Sequence, residues 1–376
     1  MTVTAAGRRS YLDHNASSPL RPSVRGAMAE ALDLIGNPSS VHADGRAVRR
    51  AVDEARRQVA RLAGVSAAEV LFTAGGTEAN NLALRGFAGR RLIVSAVEHE
   101  SVLAAAPAAA RIPVDRNGVV DADALDRLLA AGDGPALVSV MLVNNETGVI
   151  QPVAEVARIA RAHGAIVHCD AVQGAGRVPL DRAALGVDLL SLSAHKLGGP
   201  AGCGALVVAE GCHIEPLIRG GGQERWRRAG TENIVGIVGF GAAAAAALDD
   251  RTGPDLTALR DDLERRALAA VPLARVMGAG AARAGNVACL ALPGVAGETQ
   301  VMALDLAGVS VSAGAACSSG KVRPSHVLEA MGESADVAGA AIRVSLGWNT
   351  TAADIDRFLA AWTAMARRLV PSVAAV

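Results

Sequence analysis

Apolar residues fall along this chain in short runs that do not alternate with polar ones, at 69–73, 91–95, 136–143, 165–170, 189–193 and 204–209. Such runs predict strands buried on both faces. Between them, segments 77–88 and 153–163 place their apolar residues at helical spacing, which predicts helices laid over a sheet. The expected fold is α/β with a mainly parallel central sheet flanked by helices. Ligands in such sheets bind where strands end and loops begin.

Beyond the glycines 220–222 the pattern changes. Helices are predicted over about 232–249 and 255–270, parted by the breaker Thr252-Gly253-Pro254. Strands at 286–291 and 341–345, a helix near 298–306 and a closing amphipathic helix over 352–368 complete a smaller α+β unit. The breaker sets the expected boundary, with a large domain over 15–252 and a small one formed by 1–14 and 253–376. A chain of 376 residues is long enough for two such cores. No repeat of solenoid length and no low-complexity tail interrupts them.

Composition narrows the partners. Lys plus Arg and Asp plus Glu number 37 each, so no net field draws the chain to nucleic acid or an anionic membrane. Aromatic residues are 2%, too few for the stacking platforms of single-strand binders. No run of about 18 apolar residues could span a bilayer, and the alanine-rich stretch 242–248 reads as helical core. No secretion signal is evident, so a cytoplasmic location is expected. Small molecules and proteins are the expected partners, with no membrane and no direct nucleic acid.

The candidate chemistry gathers at the predicted strand ends. Only two lysines occur, Lys196 and Lys321, so Schiff-base chemistry has two positions to choose from. Lys196 follows the apolar run 189–193 and precedes Gly198-Gly199-Pro200, where a desolvated amine is expected; Ser193 and His195 cluster beside it. The segment Thr73-Ala74-Gly75-Gly76-Thr77-Glu78-Ala79-Asn80 supplies glycines and a hydroxyl between a strand and a helix, a cradle for phosphate. The same residues would also make an ordinary helix start capped by Thr77. Asp170 ends an apolar strand, where a carboxylate wants a cationic partner such as a pyridine nitrogen. Gln173 would then reach the ring oxygen, although Asp170 could equally cap the next segment. His99, after the strand ending at Ser95, can stack on a ring and shuttle a proton. Asn144, Asn145 and Glu146 end another strand.

Five cysteines, Cys169, Cys203, Cys212, Cys289 and Cys317, stand at scattered spacings without a CxxC pair, so neither zinc nor a disulfide framework is indicated. Cys317 lies among Ser312-Ala313-Gly314-Ala315-Ala316-Cys317-Ser318-Ser319-Gly320-Lys321, a setting of small residues that suits an exposed, reactive thiol. The other cysteines read as structural.

These motifs together resemble the class V, fold-type I pyridoxal-phosphate (PLP) enzymes, and within them the cysteine desulfurases of the NifS and IscS kind. Tyr11-Leu12-Asp13-His14-Asn15-Ala16, Gly36-Asn37-Pro38-Ser39-Ser40, segments 75–81, 144–148, 168–173, 193–196 and 228–233, and the Cys317 loop match in order. The resemblance implies that Lys196 carries PLP as a Schiff base while Gly76, Thr77, Ser193 and His195 hold its phosphate. It implies a homodimer in which Thr231 reaches the phosphate of the other subunit. His99 would stack on the ring, Asp170 hold its nitrogen and Gln173 its hydroxyl. Asn145 and Arg343 would bind the carboxylate of the substrate, L-cysteine, a bidentate fork suiting that group. Cys317 would take the sulfur as a persulfide for an acceptor protein, such as an iron–sulfur scaffold or a tRNA-thiolation protein. No resident metal is implied, with Cys317 a candidate cluster ligand during transfer.

Departures from the family are mild at Ala315 and at Ser17-Ser18. The stretch after 351 is shorter than the tail that housekeeping members present to their scaffold, which leaves the acceptor open. The 321–328 segment resembles the long-loop NifS/IscS group rather than the short-loop SufS-like one. A selenocysteine lyase, or another class V lyase or aminotransferase, is the alternative that would not need Cys317.

Overall fold

Seven short apolar strands dominate the computed structural model, which describes residues 9–249, 253–314 and 324–370. They are β1 (Val70–Thr73), β2 (Arg91–Ser95), β3 (Ala110–Ile112), β4 (Ala136–Ser139), β5 (Ile166–Asp170), β6 (Leu189–Ser193) and β7 (Gly204–Val208). Their order across the sheet is β1-β7-β6-β5-β4-β2-β3. All neighbours run parallel except β7, which is antiparallel to both β1 and β6. The absence of alternation has a plain cause. Val70 and Phe72 pack into one layer with Val59 and Phe240, whereas Leu71 between them packs into the opposite layer with Leu82. A sheet covered on both faces buries the side chains of its inner strands, which therefore read as near-continuous apolar runs, whereas Ala110 and Arg111 on the edge strand β3 are exposed.

Five of the six expected strands in this sheet are found within a residue or so of their predicted limits. The run 136–143 is the exception, because the strand stops at Ser139. Residues beyond it leave the ladder: the Met141 N–H donates to Glu98, and Val143 bridges to Ile150. This bend carries Asn145 towards the carboxyl end of the sheet. The helix Ala43–Ala63, which packs against the helix Ile234–Leu248, escaped the sequence reading although Val48, Val52, Val59 and Leu62 form a helical stripe buried among arginines.

A second sheet of β8 (Arg275–Val276), β9 (Val287–Ala291), β10 (Ser312–Ala313) and β11 (Ala341–Ser345) is antiparallel in the order β10-β11-β9-β8. Its own core joins Leu263, Leu290, Val344, Phe358 and Trp362. The closing helix Ala352–Leu369 starts with a reciprocal cap between Thr351 and Asp354. Ser10–Tyr11 pairs in parallel with Val309–Ser310 and Asp13 bridges to Ser345, so residues 10–13 join this second layer. Among the described residues no helix is long and apolar enough to cross a membrane.

Candidate active site

Strands β1, β2, β4, β5 and β6 run in one direction, and the chain leaving their carboxyl ends encloses a cavity of about 450 Å³. Ten of the residues singled out in the sequence line it: Gly76, Thr77, His99, Asn145, Asp170, Gln173, Ser193, His195, Lys196 and Arg343. Thr231 is exposed and stands outside the lining. Cys317 lies outside the described residues, although Ser312 before it reaches the cavity.

After β1 the chain enters the helix Gly76–Arg85. Its cap is Gly75, at φ 155°, and no side chain caps the first turn. Thr77 therefore lies inside the helix rather than capping it. Gly76 must be small, since a Cβ there would come within 2.8 Å of Val172. Uncapped N–H groups beside the Ser193 and His195 side chains make a fitting seat for a phosphate.

Asp170 is buried, and its two oxygens accept from the Val172 N–H at 2.9 Å and from Asn80 Nδ2 at 2.7 Å. Among the described residues it makes no ion pair, so a buried carboxylate held by neutral donors faces the cavity. That arrangement suits a protonated ring nitrogen. The Gln173 amide is fixed at both ends, donating to the Asn15 carbonyl at 3.0 Å and accepting from Arg177.

Lys196 sits on the short 3-10 turn Ala194–Lys196 that follows β6. It is half-buried rather than bare in an apolar pocket, and its amine donates to the carbonyls of Asn15 and Ala16 at 2.6 and 2.7 Å. His99 caps the turn Glu100–Leu103, its Nδ1 accepting from the Ser101 N–H at 3.1 Å. Burial holds the imidazole below its ordinary pKa, with the Asp170 carboxylate opposing. His195 is driven to about 4, chiefly by burial and then by Lys196 and Arg177.

Arg343 projects from β11 with its Nη2 on Asp13 Oδ1 at 3.0 Å and its Nη1 on the Asn145 carbonyl at 3.3 Å, while its Nε has no partner among the described residues. A buried donor without a partner at the cavity wall suits a ligand carboxylate.

Several residues with no assigned role prove to support these. Glu98, fully buried under His99, accepts from Ser95 Oγ and the Met141 N–H, and burial pushes its carboxyl up to about 8. Glu146 accepts from Ser325 Oγ at 2.5 Å and is also raised by burial. Asp13, Asn15, Glu98 and Glu146 stand inside or beside the recognised motifs, which is the signal that could have marked them. Burial raises the thiols of Cys169, Cys203 and Cys289, as befits structural cysteines. Among the described residues no group of three or more His, Cys, Asp or Glu could hold a metal ion.

The family model described as aminotransferase class-V matches residues 10–358. A cysteine desulfurase of Cereibacter sphaeroides is 48% identical over 366 residues, covering 93% of this chain and 94% of the relative. A cysteine desulfurase IscS of Dictyoglomus turgidum is 42% identical, covering 93% and 92%. The X-ray structure of a NifS-like protein from Rickettsia africae superposes with a TM-score of 0.89 at 34% identity, covering 95% of this chain and 99% of that one.

Proposed function

The chain belongs to the aminotransferase class-V family, and on that premise we propose how the residues of its cavity divide the work of a cysteine desulfurase. The enzyme is PLP-dependent and takes sulfur from L-cysteine. The observation that supports the assignment of roles is the convergence of these ten residues, drawn from distant segments of the chain, on one cavity. When bound, PLP supplies an electron sink for charge that develops on the substrate's α-carbon.

Lys196 is the covalent anchor of the cofactor, and its Nζ takes the α-proton once the substrate has displaced it. The first turn of Gly76–Arg85, with Thr77, Ser193 and His195, holds the phosphate. Asp170 keeps the ring nitrogen protonated, Gln173 holds the ring hydroxyl, and His99 covers the ring and moves protons at the reacting atoms. Arg343 and Asn145 grip the substrate carboxylate. Cys317 Sγ attacks the substrate sulfur as a thiolate; the carbon–sulfur bond breaks, its electron pair stays with carbon, and alanine leaves after protonation. The sulfur then stays on Cys317 as a persulfide until an acceptor protein takes it, an iron–sulfur scaffold or a tRNA-thiolation protein, in the cytoplasm.

The residues 15–252 form the cofactor-binding domain in this reading, and 1–14 with 253–376 the domain that brings Arg343 and Cys317. The working unit is a homodimer with Thr231 on the phosphate of the other subunit. Exposed Thr231 supports this, as do Trp226, 73% exposed, and the Arg228–Glu78 pair at 2.9 Å, which ties that segment to the phosphate-binding helix. A monomer with full activity in light scattering would refute it.

The decisive experiment compares the native protein with Cys317→Ala, measuring alanine and sulfide released from L-cysteine with a reductant present. The native protein is expected to form both, and the variant to bind PLP and form neither. Equal activity in both would make the protein a lyase.

A further inference from the structure

Two side chains without a part in the scheme above lie between two that have one. Asn80 Nδ2 donates to Asp170 Oδ2 at 2.7 Å and to Ser101 Oγ at 2.8 Å. Ser101 Oγ lies 2.8 Å from His99 Nδ1. Both intermediaries are buried, Asn80 at 1% exposure and Ser101 at 9%.

The direction of each bond follows from the chemistry of its ends. An ionised carboxylate only accepts, so the Asn80 amide must turn its NH2 to Asp170. The second hydrogen of that NH2 goes to Ser101 Oγ, and the hydroxyl hydrogen is left for His99 Nδ1. The Ser101 backbone N–H points at the same nitrogen from 3.1 Å. Nδ1 is thus an acceptor twice over, and the proton of a neutral imidazole belongs on Nε2. Among the described residues Asn80 Oδ1 has no partner. Leaving a buried acceptor unsatisfied is costly, so the bonds on the NH2 side hold the amide in place.

We infer that Asn80 and Ser101 are positioning residues, a hydrogen-bond relay through which the Asp170 carboxylate holds His99 neutral with its proton on Nε2. Protonating Nδ1 would require the Ser101 hydroxyl to reverse, and Asn80 offers it no acceptor without giving up Asp170. The relay reinforces burial, the largest influence on His99. It joins Lys196 and His326, which also disfavour the cation, against the through-space pull of Asp170 and Glu100. Asp170 therefore acts on His99 in two opposed ways, and the relay is the one that the chain has built.

The inference rests on the proposed cofactor contacts of His99 and Asp170 for its purpose, while the bonds are a property of the protein alone. The test is the titration of His99 in the full-length enzyme stripped of PLP, followed by NMR of 13Cε1-labelled histidine and assigned by the signal lost in His99→Gln. Asn80→Ala and Ser101→Ala are expected to raise the His99 midpoint by roughly half to one pH unit, the scale of one hydrogen bond. Ser101→Thr, which keeps the hydroxyl, is expected to restore it. An unchanged midpoint in both alanine variants, or a Ser101→Thr midpoint displaced as far as that of Ser101→Ala, overturns the relay. The visible absorbance of the PLP-loaded enzyme is the separate check: indifference of that band to His99→Gln and Asp170→Asn would count against the cofactor contacts and leave the titration result standing.

Discussion

Arg343 Nη2 meets Asp13 Oδ1 at 3.0 Å across 330 residues of sequence, and Ser312 Oγ holds the second Asp13 oxygen at 2.8 Å. The guanidinium is therefore held in place by the protein itself, and in the proposed role the planar fork, not the charge alone, would meet the carboxylate. Arg343→Lys is expected to raise KM for L-cysteine roughly tenfold to a hundredfold, the scale of losing a charge-assisted hydrogen bond, with a smaller fall in kcat. Steady-state kinetics of alanine formation would check this, and a KM that stays level would remove Arg343 from substrate binding.

Lys196 holds two backbone carbonyls, of Asn15 and Ala16, besides the part in the chemistry proposed for it. Lys196→Ala is expected to lower alanine formation by roughly a hundredfold to ten-thousandfold, the range for removing a proton-transfer group. The same variant should lose the borohydride-reducible absorbance of a cofactor linked to lysine. Retention of that absorbance would point to Lys321.

The Gly76 position has a steric prediction. An added methyl would meet Val172 Cγ2 at 2.8 Å, and overpacking of this kind costs about 1–3 kcal/mol. Gly76→Ala should therefore lower the unfolding temperature of the stripped protein by roughly a few degrees, and weaken PLP binding as well if the helix start shifts to relieve the contact. Calorimetry measures the first, and cofactor titration followed by absorbance the second.

Glu98 gives the pH prediction. Its carboxyl is raised by burial from an ordinary 4.5 to about 8, so between those values the folded state keeps a proton that the unfolded state releases. Its contribution to stability is complete below about 4.5 and is lost as pH rises through about 8. Glu98→Gln fixes the neutral form, so its melting temperature should fall less between pH 5 and pH 8 than that of the native protein. Equal slopes in the two melting series would show that Glu98 ionises freely.

Lys196, Asp170 and His99 were legible in the sequence because each follows an apolar run, and a polar group at the end of a buried strand stands out against its surroundings. The end of the strand within 136–143 was not, since seven of its eight residues are apolar and the single Ser139 among them carries no period that marks where the ladder stops. The Thr77 cap failed for a related reason: Gly75 at φ 155° can turn the chain two residues earlier, which composition cannot show. The partners that orient the site were harder still. Asp13 and Arg343, or Glu98 and Met141, come together only through tertiary pairing, and neither member of such a pair announces the other.

The pairing of Ser10–Tyr11 with Val309–Ser310 also bears on how the chain assembles during synthesis. Residues 10–13 leave the ribosome among the first, yet their partners at 309–345 follow only after nearly three hundred further residues have been added. Contacts of such long range form late, because loop closure must precede them. The grip of Asp13 on Arg343 is thus among the last features that a nascent chain can acquire, and a ribosome-bound chain halted before residue 309 would hold Lys196, Asp170 and Asn145 without the arginine that faces them in the finished cavity.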